Sequence, residues 1–204
     1  MDIVIPHFDC TEQNYLEYIL KSGVFQPLHK VTKPVRWSFN QLNMNFDYTE
    51  FYDYGIVKYI LRGIEKYIPD VDNVYLLVNN IEQIPDYIDK TKVKIIFFRQ
   101  FIPRQYVTPT DDIIRRSLNR MSKLLGHKIS YIHNFIPLSS TYNSIKEVSI
   151  TDIKGLDMNE LADYDGLKIT ISKSTRCPLS QIERDINDKL NQLFPEKSKY
   201  ENDR

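Results

Sequence analysis

The segment from Ile56 to Phe98 constrains the fold more than any other. Ile56, Tyr59, Ile60, Gly63, Ile64 and Tyr67 recur at the spacing of one continuous helical face. Two apolar runs follow, Val74–Val78 (VYLLV) and Val93–Phe98 (VKIIFF). Strands that are apolar along their whole length must be covered on both faces, which parallel sheets flanked by helices achieve. Gly63 lowers helix propensity, so its place on the apolar face predicts close packing of the helix on a sheet. Ile68-Pro69 predicts the helix end, and Ile84–Ile88 a short connecting turn or helix.

The flanking segments repeat the alternation. Ile3-Val4-Ile5 predicts a buried strand ended by Pro6, then a helix from about Thr11 to Ser22 with Gly23 as its stop. Asp9 and Glu12 have capping-box spacing. Thr108-Pro109-Thr110-Asp111 predicts a helix start with a threonine cap, and Ile114, Leu118, Met121 and Leu125 its buried face before Gly126. Ile129–Ile136 (ISYIHNFI) alternates like a strand. The stretch 139–165 is polar, with a short helix near Met158–Ala162. Leu167–Ser172 predicts a strand. A last helix from about Pro178 places Ile182, Ile186, Leu190 and Leu193 on one face. The expectation is one α/β domain over 1–204, a mainly parallel central sheet flanked by helices, with a charged tail after about residue 197 expected to fray.

Composition then excludes whole classes. Lys plus Arg number 27 and Asp plus Glu 27, so a nucleic-acid clamp, which needs a basic excess, is not expected. Apolar residues make up 42%, which argues against disorder. The opening MDIVIPHFD does not read as a signal peptide, and no apolar run approaches the ~20 residues of a membrane span. A cytoplasmic location is therefore expected. Cys10 and Cys177 read as a reduced pair. The six glycines form neither a Walker loop nor G-x-G-x-x-G, and His7, His29, His127 and His133 fall at no metal-ligand spacing.

In open parallel sheets ligands bind beyond the carboxyl ends of the strands. Those ends here are Pro6 to Asp9, Asn79-Asn80, Arg99 to Phe101 and His133-Asn134.

Several motifs resemble the Stealth family of sugar-phosphate transferases. Asp2-Ile3-Val4 with Phe8-Asp9 resembles its D-I-V-x-x-x-V-D opening. The run from Leu61 to Pro69 (LRGIEKYIP), the strand Val74–Val78 and Gln83-Ile84-Pro85 resemble its second region. Phe194 to Glu201 (FPEKSKYE) is similar to its closing F-P-E-x-S-x-[FY]-E. The resemblance implies a glycosyltransferase-A-like fold, a nucleotide-sugar donor, a glycan acceptor and a divalent ion, Mn²⁺ or Mg²⁺. It departs at the acidic pair, where Asn134 and Phe135 stand in place of two carboxylates. That departure leaves two readings open, an active transferase and a scaffold that has lost its chemistry and serves as a binding or regulatory protein.

The candidate nucleotide-binding residues are Pro6, Asp9, Asn79, Asn80 and Arg99. Asp9 is read either as a contact to base or ribose or as a helix cap. The candidate catalytic groups are His133, a potential general acid or base, and Asp111 and Asp112, nearest of the carboxylates to the site. Both aspartates also suit the first turn of a helix. Arg62 reads as a phosphate contact or a surface ion pair with Glu65 or a neighbour, and Trp37 with Arg36 as a stacking pair or core anchor.

Overall fold

The structure, a computed structural model, describes residues 1–9, 12–22, 54–107, 110–170 and 179–202. Cys10, Cys177, Arg36 and Trp37 fall outside the described residues, as do Thr108, Pro109 and Pro178. Within them the chain is α/β: a four-stranded, all-parallel sheet flanked by helices, with a second three-stranded sheet packed beside it.

The parallel sheet has the order β3-β2-β1-β4, built from β1 (Asp2–Pro6), β2 (Asn73–Val78), β3 (Val93–Phe97) and β4 (Ser130–Tyr131). Side chains alternate across it, because successive residues of a strand face opposite sides. Ile3, Ile5, Val74, Leu76 and Val78 join one core with Ile60 and Ile64 of α2 (Ile56–Tyr67) and Ile186 and Leu190 of α4 (Leu179–Leu193). Val4, Tyr75 and Leu77 join the other with Leu16 and Ile19 of α1 (Gln13–Ser22) and Leu118 and Met121 of α3 (Asp111–Leu125). Burial on both faces is what the unbroken apolar strands required.

The α2 face is as expected, with a wider buried arc that adds Val57, Leu61 and Arg62. Two helix starts differ from expectation. Glu12 caps α1: its carboxylate accepts from the amides of Asn14 at 2.9 Å and Tyr15 at 2.8 Å. Thr110 caps α3, accepting from Ile113 N at 3.4 Å, so Asp111 and Asp112 occupy its first turn. Gly126 closes α3 at φ 74°, while Leu125 is 37% exposed.

The alternating run ISYIHNFI is not one strand. Ile132 N makes a 3.0 Å bond to Val4 O, and the chain then leaves the parallel sheet. Asn134 takes φ 61°, a left-handed conformation that asparagine tolerates better than most residues. Two residues later β5 (Ile136–Pro137) enters the second sheet, of order β5-β7-β6, with β6 (Ile145–Ser149) and β7 (Gly166–Thr170). β7 runs antiparallel to β5 and parallel to β6. The polar stretch therefore holds a strand, β6, and the helix near Met158 is a 3₁₀ segment, Met158–Asp163.

The tail beyond 197 is not frayed. Ser198, Tyr200 and Glu201 are buried, Glu201 bridges to Ile88, and Tyr200 O accepts from Asp89 N at 2.9 Å. The reason lies on α2. Arg62 is 8% exposed, and a guanidinium drawn into a core needs a counter-charge. Glu201 supplies it, from Arg62 Nε at 2.7 Å and Nη2 at 2.9 Å. The expected surface pair with Glu65 is not formed; Glu65 accepts from Lys199 N instead.

Gly63 packs against β5. A Cβ there would stand 2.5 Å from Pro137 O and 3.0 Å from its Cδ. Replacing glycine by alanine in a helix gains up to ~1 kcal/mol in propensity, whereas overpacking a fixed core costs about 1–3 kcal/mol. Gly63→Leu is expected to lose stability by the second amount, because the obstacle is backbone oxygen and not a flexible side-chain end. Denaturant unfolding at constant m checks this; an unchanged midpoint would sink the close-packing account.

Candidate functional site

The strand order reverses between β1 and β4, so the crevice at their carboxyl ends is the topological switch point of the parallel sheet. Val4 pairs with Tyr131, and Ile132 N makes the last bond of this edge, to Val4 O. The β1 end is buried through Phe8, and Asp9 is half-buried.

His133 is the chemically distinctive group. It is half-buried in the crossover between the two sheets, and loss of solvent pushes its pKa down to about 4. Asp111, from the first turn of α3, works in the opposite sense, and Lys168 of β7 adds to the lowering. Three elements thus converge electrostatically on one imidazole. Lys168 is held by Glu147 at 2.7 Å.

The depressed pKa carries a stability consequence. Between pH 6.5 and about 4 the unfolded chain binds a proton at His133 that the folded chain refuses. This contribution is present above pH 6.5 and is lost as pH falls toward 4. The expected result is that the midpoint of unfolding falls over this window in the native chain and falls less in His133→Gln. Parallel slopes for the two proteins would overturn the assigned shift.

The remaining expected site residues separate into two groups. Asp9, Asn79 and Asn80 gather at the ends of β1 and β2 around Gln83, which is 1% exposed. Gln83 Nε2 donates to Asp9 O at 3.2 Å, and its Oε1 accepts from Asn79 N at 3.1 Å. The Asn79 side chain is engaged at both ends by Val107, accepting from its N at 2.8 Å and donating to its O at 3.3 Å. Asn80 accepts from Gln83 N and donates to Glu12 at 3.2 Å. These amides fasten the loops that shape the crevice. Arg99 lies apart, exposed beyond the edge strand β3, with its guanidinium 5.1 Å from the Phe97 ring. Asp112 is paired with Arg115 at 3.1 Å and Arg116 at 2.7 Å within α3.

The two residues standing where the family carries carboxylates have different fates. Asn134 is exposed, while Phe135 packs edge-on against Tyr142 at 5.4 Å and lies over Gly166. A phenyl ring supplies no oxygen, and divalent ions of the Mg²⁺ class require hard oxygen ligands. Among the described residues no three His, Cys, Asp or Glu side chains come together to hold a metal. The described residues do not fit a divalent ion at this crossover. A cleft of about 530 Å³ exists elsewhere, walled by Glu65, Lys66 and Pro195–Ser198, and no residue of the crevice lines it.

Sequence reasoning gave no role to Lys168, and it held His7 only within the Pro6 to Asp9 strand end and Gln83 only within a motif. His7 follows Pro6 on the first strand, is 5% exposed, and its Nε2 has no hydrogen-bond partner among the described residues. Its position directly after an apolar strand was the available signal. A scattered set of histidines obscured it.

An α/β protein with polar side chains gathered at the carboxyl ends of a parallel sheet is the class that fold and site define. Within that class the chain is similar to two polysaccharide phosphotransferases. It is 30% identical over 81 residues to the capsular polysaccharide phosphotransferase WcwK of Streptococcus pneumoniae, covering 38% of this chain and 24% of that protein. It is 44% identical over 105 residues to the exopolysaccharide phosphotransferase cps2G of Lactiplantibacillus plantarum, covering 50% of this chain and 26% of that protein. The chain matches about a quarter of the length of each of these curated relatives. No family model matches it. Among the described residues no helix is long and apolar enough to cross a membrane.

Proposed function

We propose that this chain is a sugar-phosphate transferase of surface-polysaccharide synthesis, of glycosyltransferase-A-like architecture, taking a nucleotide-sugar donor in the crevice between β1 and β4. The observation that carries the reading is His133, half-buried in the crossover beside the parallel sheet and within electrostatic reach of Asp111 and Lys168. The similarity to two polysaccharide phosphotransferases supports the substrate class. An acceptor hydroxyl attacks the phosphorus that bears the sugar, His133 takes the hydroxyl proton, and the nucleoside monophosphate leaves. A diphosphate docked beside His133 raises its pKa from about 4, since a nearby anion favours imidazolium. Lys168 faces the same charge. Asp111 acts through His133 as a positioning residue.

Phe135 gives the alternative its footing. Its packed ring suits a scaffold that has kept the crevice and lost transfer. Thermal unfolding with millimolar UDP, GDP or CMP, followed by a product assay, separates the two, because a ligand bound only by the folded state raises its midpoint. A raised midpoint with product supports the transferase, and a raised midpoint without product supports the scaffold. A flat response to all three nucleotides overturns both.

A further inference from the structure

We propose that His7 is a ligand-binding residue of this crevice, its Nε2–H donating to a phosphate oxygen of the bound diphosphate. The inference rests on the proposed function for its ligand class and on the geometry for its residue.

His7 N bonds to Leu77 O at 2.9 Å, so the β1–β2 ladder continues through it. Ile3 and Ile5 face the α2 core and Phe8 the opposite one, and alternation puts His7 on the α2 face. The crossover from β4 to β5 passes to that same face, as Ile132 and Ile136 share the core of Ile5. The imidazole therefore lies at the carboxyl end of β1, on the face of the sheet to which the crossover passes.

A buried polar atom without a partner is unfavourable, and such atoms are uncommon in folded proteins. His7 Nε2 is one of two among the described side chains; the other is the Tyr142 hydroxyl. The Tyr142 ring packs on Phe135, whereas His7 stands at the end of the first strand of the parallel sheet, where ligands of such sheets bind. His7 keeps 5% of its surface exposed, so it is not sealed into the core. A ring N–H that meets an anionic oxygen there forms a charge-assisted hydrogen bond, the stronger kind.

The test sets stability against affinity. His7→Leu removes the orphan at similar volume, so the free protein should melt a few degrees higher, while UDP, GDP or inorganic pyrophosphate should bind at least tenfold more weakly by calorimetry. His7→Gln, which returns an N–H near the same place, should recover most of the binding. In the native chain the ¹⁵N resonance of His7 Nε2 should move on titration with whichever probe binds. Binding of a probe by the native chain with equal affinity in His7→Leu and an unmoved resonance overturns the role of His7 and leaves the proposed function standing. A His7→Leu protein that melts lower, with the native resonance unmoved, assigns the ring to packing and overturns it too. Failure of every probe to bind the native chain removes both.

Discussion

Glu201→Gln is expected to destabilise the fold by about 3–5 kcal/mol, because it leaves the Arg62 charge buried without its partner. Arg62 also donates to Phe194 O at 2.7 Å and Asn191 Oδ1 at 3.3 Å, and Glu201 accepts from Ser198 N at 2.9 Å. Those bonds fix both groups where they cannot escape to water. Arg62→Met should cost a similar amount. The double replacement Arg62→Met/Glu201→Leu should recover much of it, since a pair of apolar groups carries no desolvation penalty. Burial works against the Glu201 carboxylate, but the hydrogen bonds from Arg62 and Ser198 and the Arg62 charge outweigh it and hold the pKa below the usual range. A depressed carboxyl pKa contributes stability above the unfolded value near 4.5 that is lost as pH falls through the folded one. Denaturant unfolding at pH 7 should therefore show the full difference from Glu201→Gln, and unfolding at pH 3 a smaller one. Equal midpoints at pH 7 would mean the pair contributes nothing.

The same ion pair explains why two motifs far apart in the chain read together. LRGIEKYIP supplies Arg62 and FPEKSKYE supplies Glu201, so their co-occurrence reflects one buried clamp and not two ligand contacts. A charge at position 62 of an apolar helix face looked like surface because helical period alone does not reveal how far the neighbouring segments wrap. The tail looked frayed for a related reason. Its composition is polar, yet Glu201 docks on Arg62 of α2, 139 residues away in sequence, and bridges to Ile88, while Tyr200 O accepts from Asp89 N.

What period and apolarity dictate was legible. The strands β1 and β2 are buried on both faces, the edge strand β3 is only half-buried beyond Val93, and the helices α2, α3 and α4 follow their apolar spacing. The ISYIHNFI run was misread because alternation continues on either side of a break that a single left-handed residue introduces. That break matters for the site, since it carries His133 off the parallel sheet and into reach of Lys168 on a strand of the other. Asp111 and His133 were legible as neighbours from the α3–β4 connection. Lys168 was not, because only the second sheet brings it there.

His133→Gln is the substitution expected to act most on transfer, lowering the rate by 10²–10⁴-fold, the usual contribution of a positioned base. Glutamine keeps a hydrogen-bonding amide of similar reach and has no titratable nitrogen, so donor affinity should change little and the loss should fall in kcat. Asp111→Asn removes the one charge that favours imidazolium, and it should lower the His133 pKa further from about 4 while moving the acid limb of the pH–rate profile in the same direction. Lys168→Gln removes a charge of the opposite effect and should move that limb upward. The two shifts have opposite signs, which distinguishes electrostatic control of one imidazole from general damage to the fold. A His133→Gln protein with full rate and an unaltered profile would remove the base from this residue; a native protein that binds donor and turns none over would place the packed Phe135 crossover, and with it the scaffold, ahead of the enzyme.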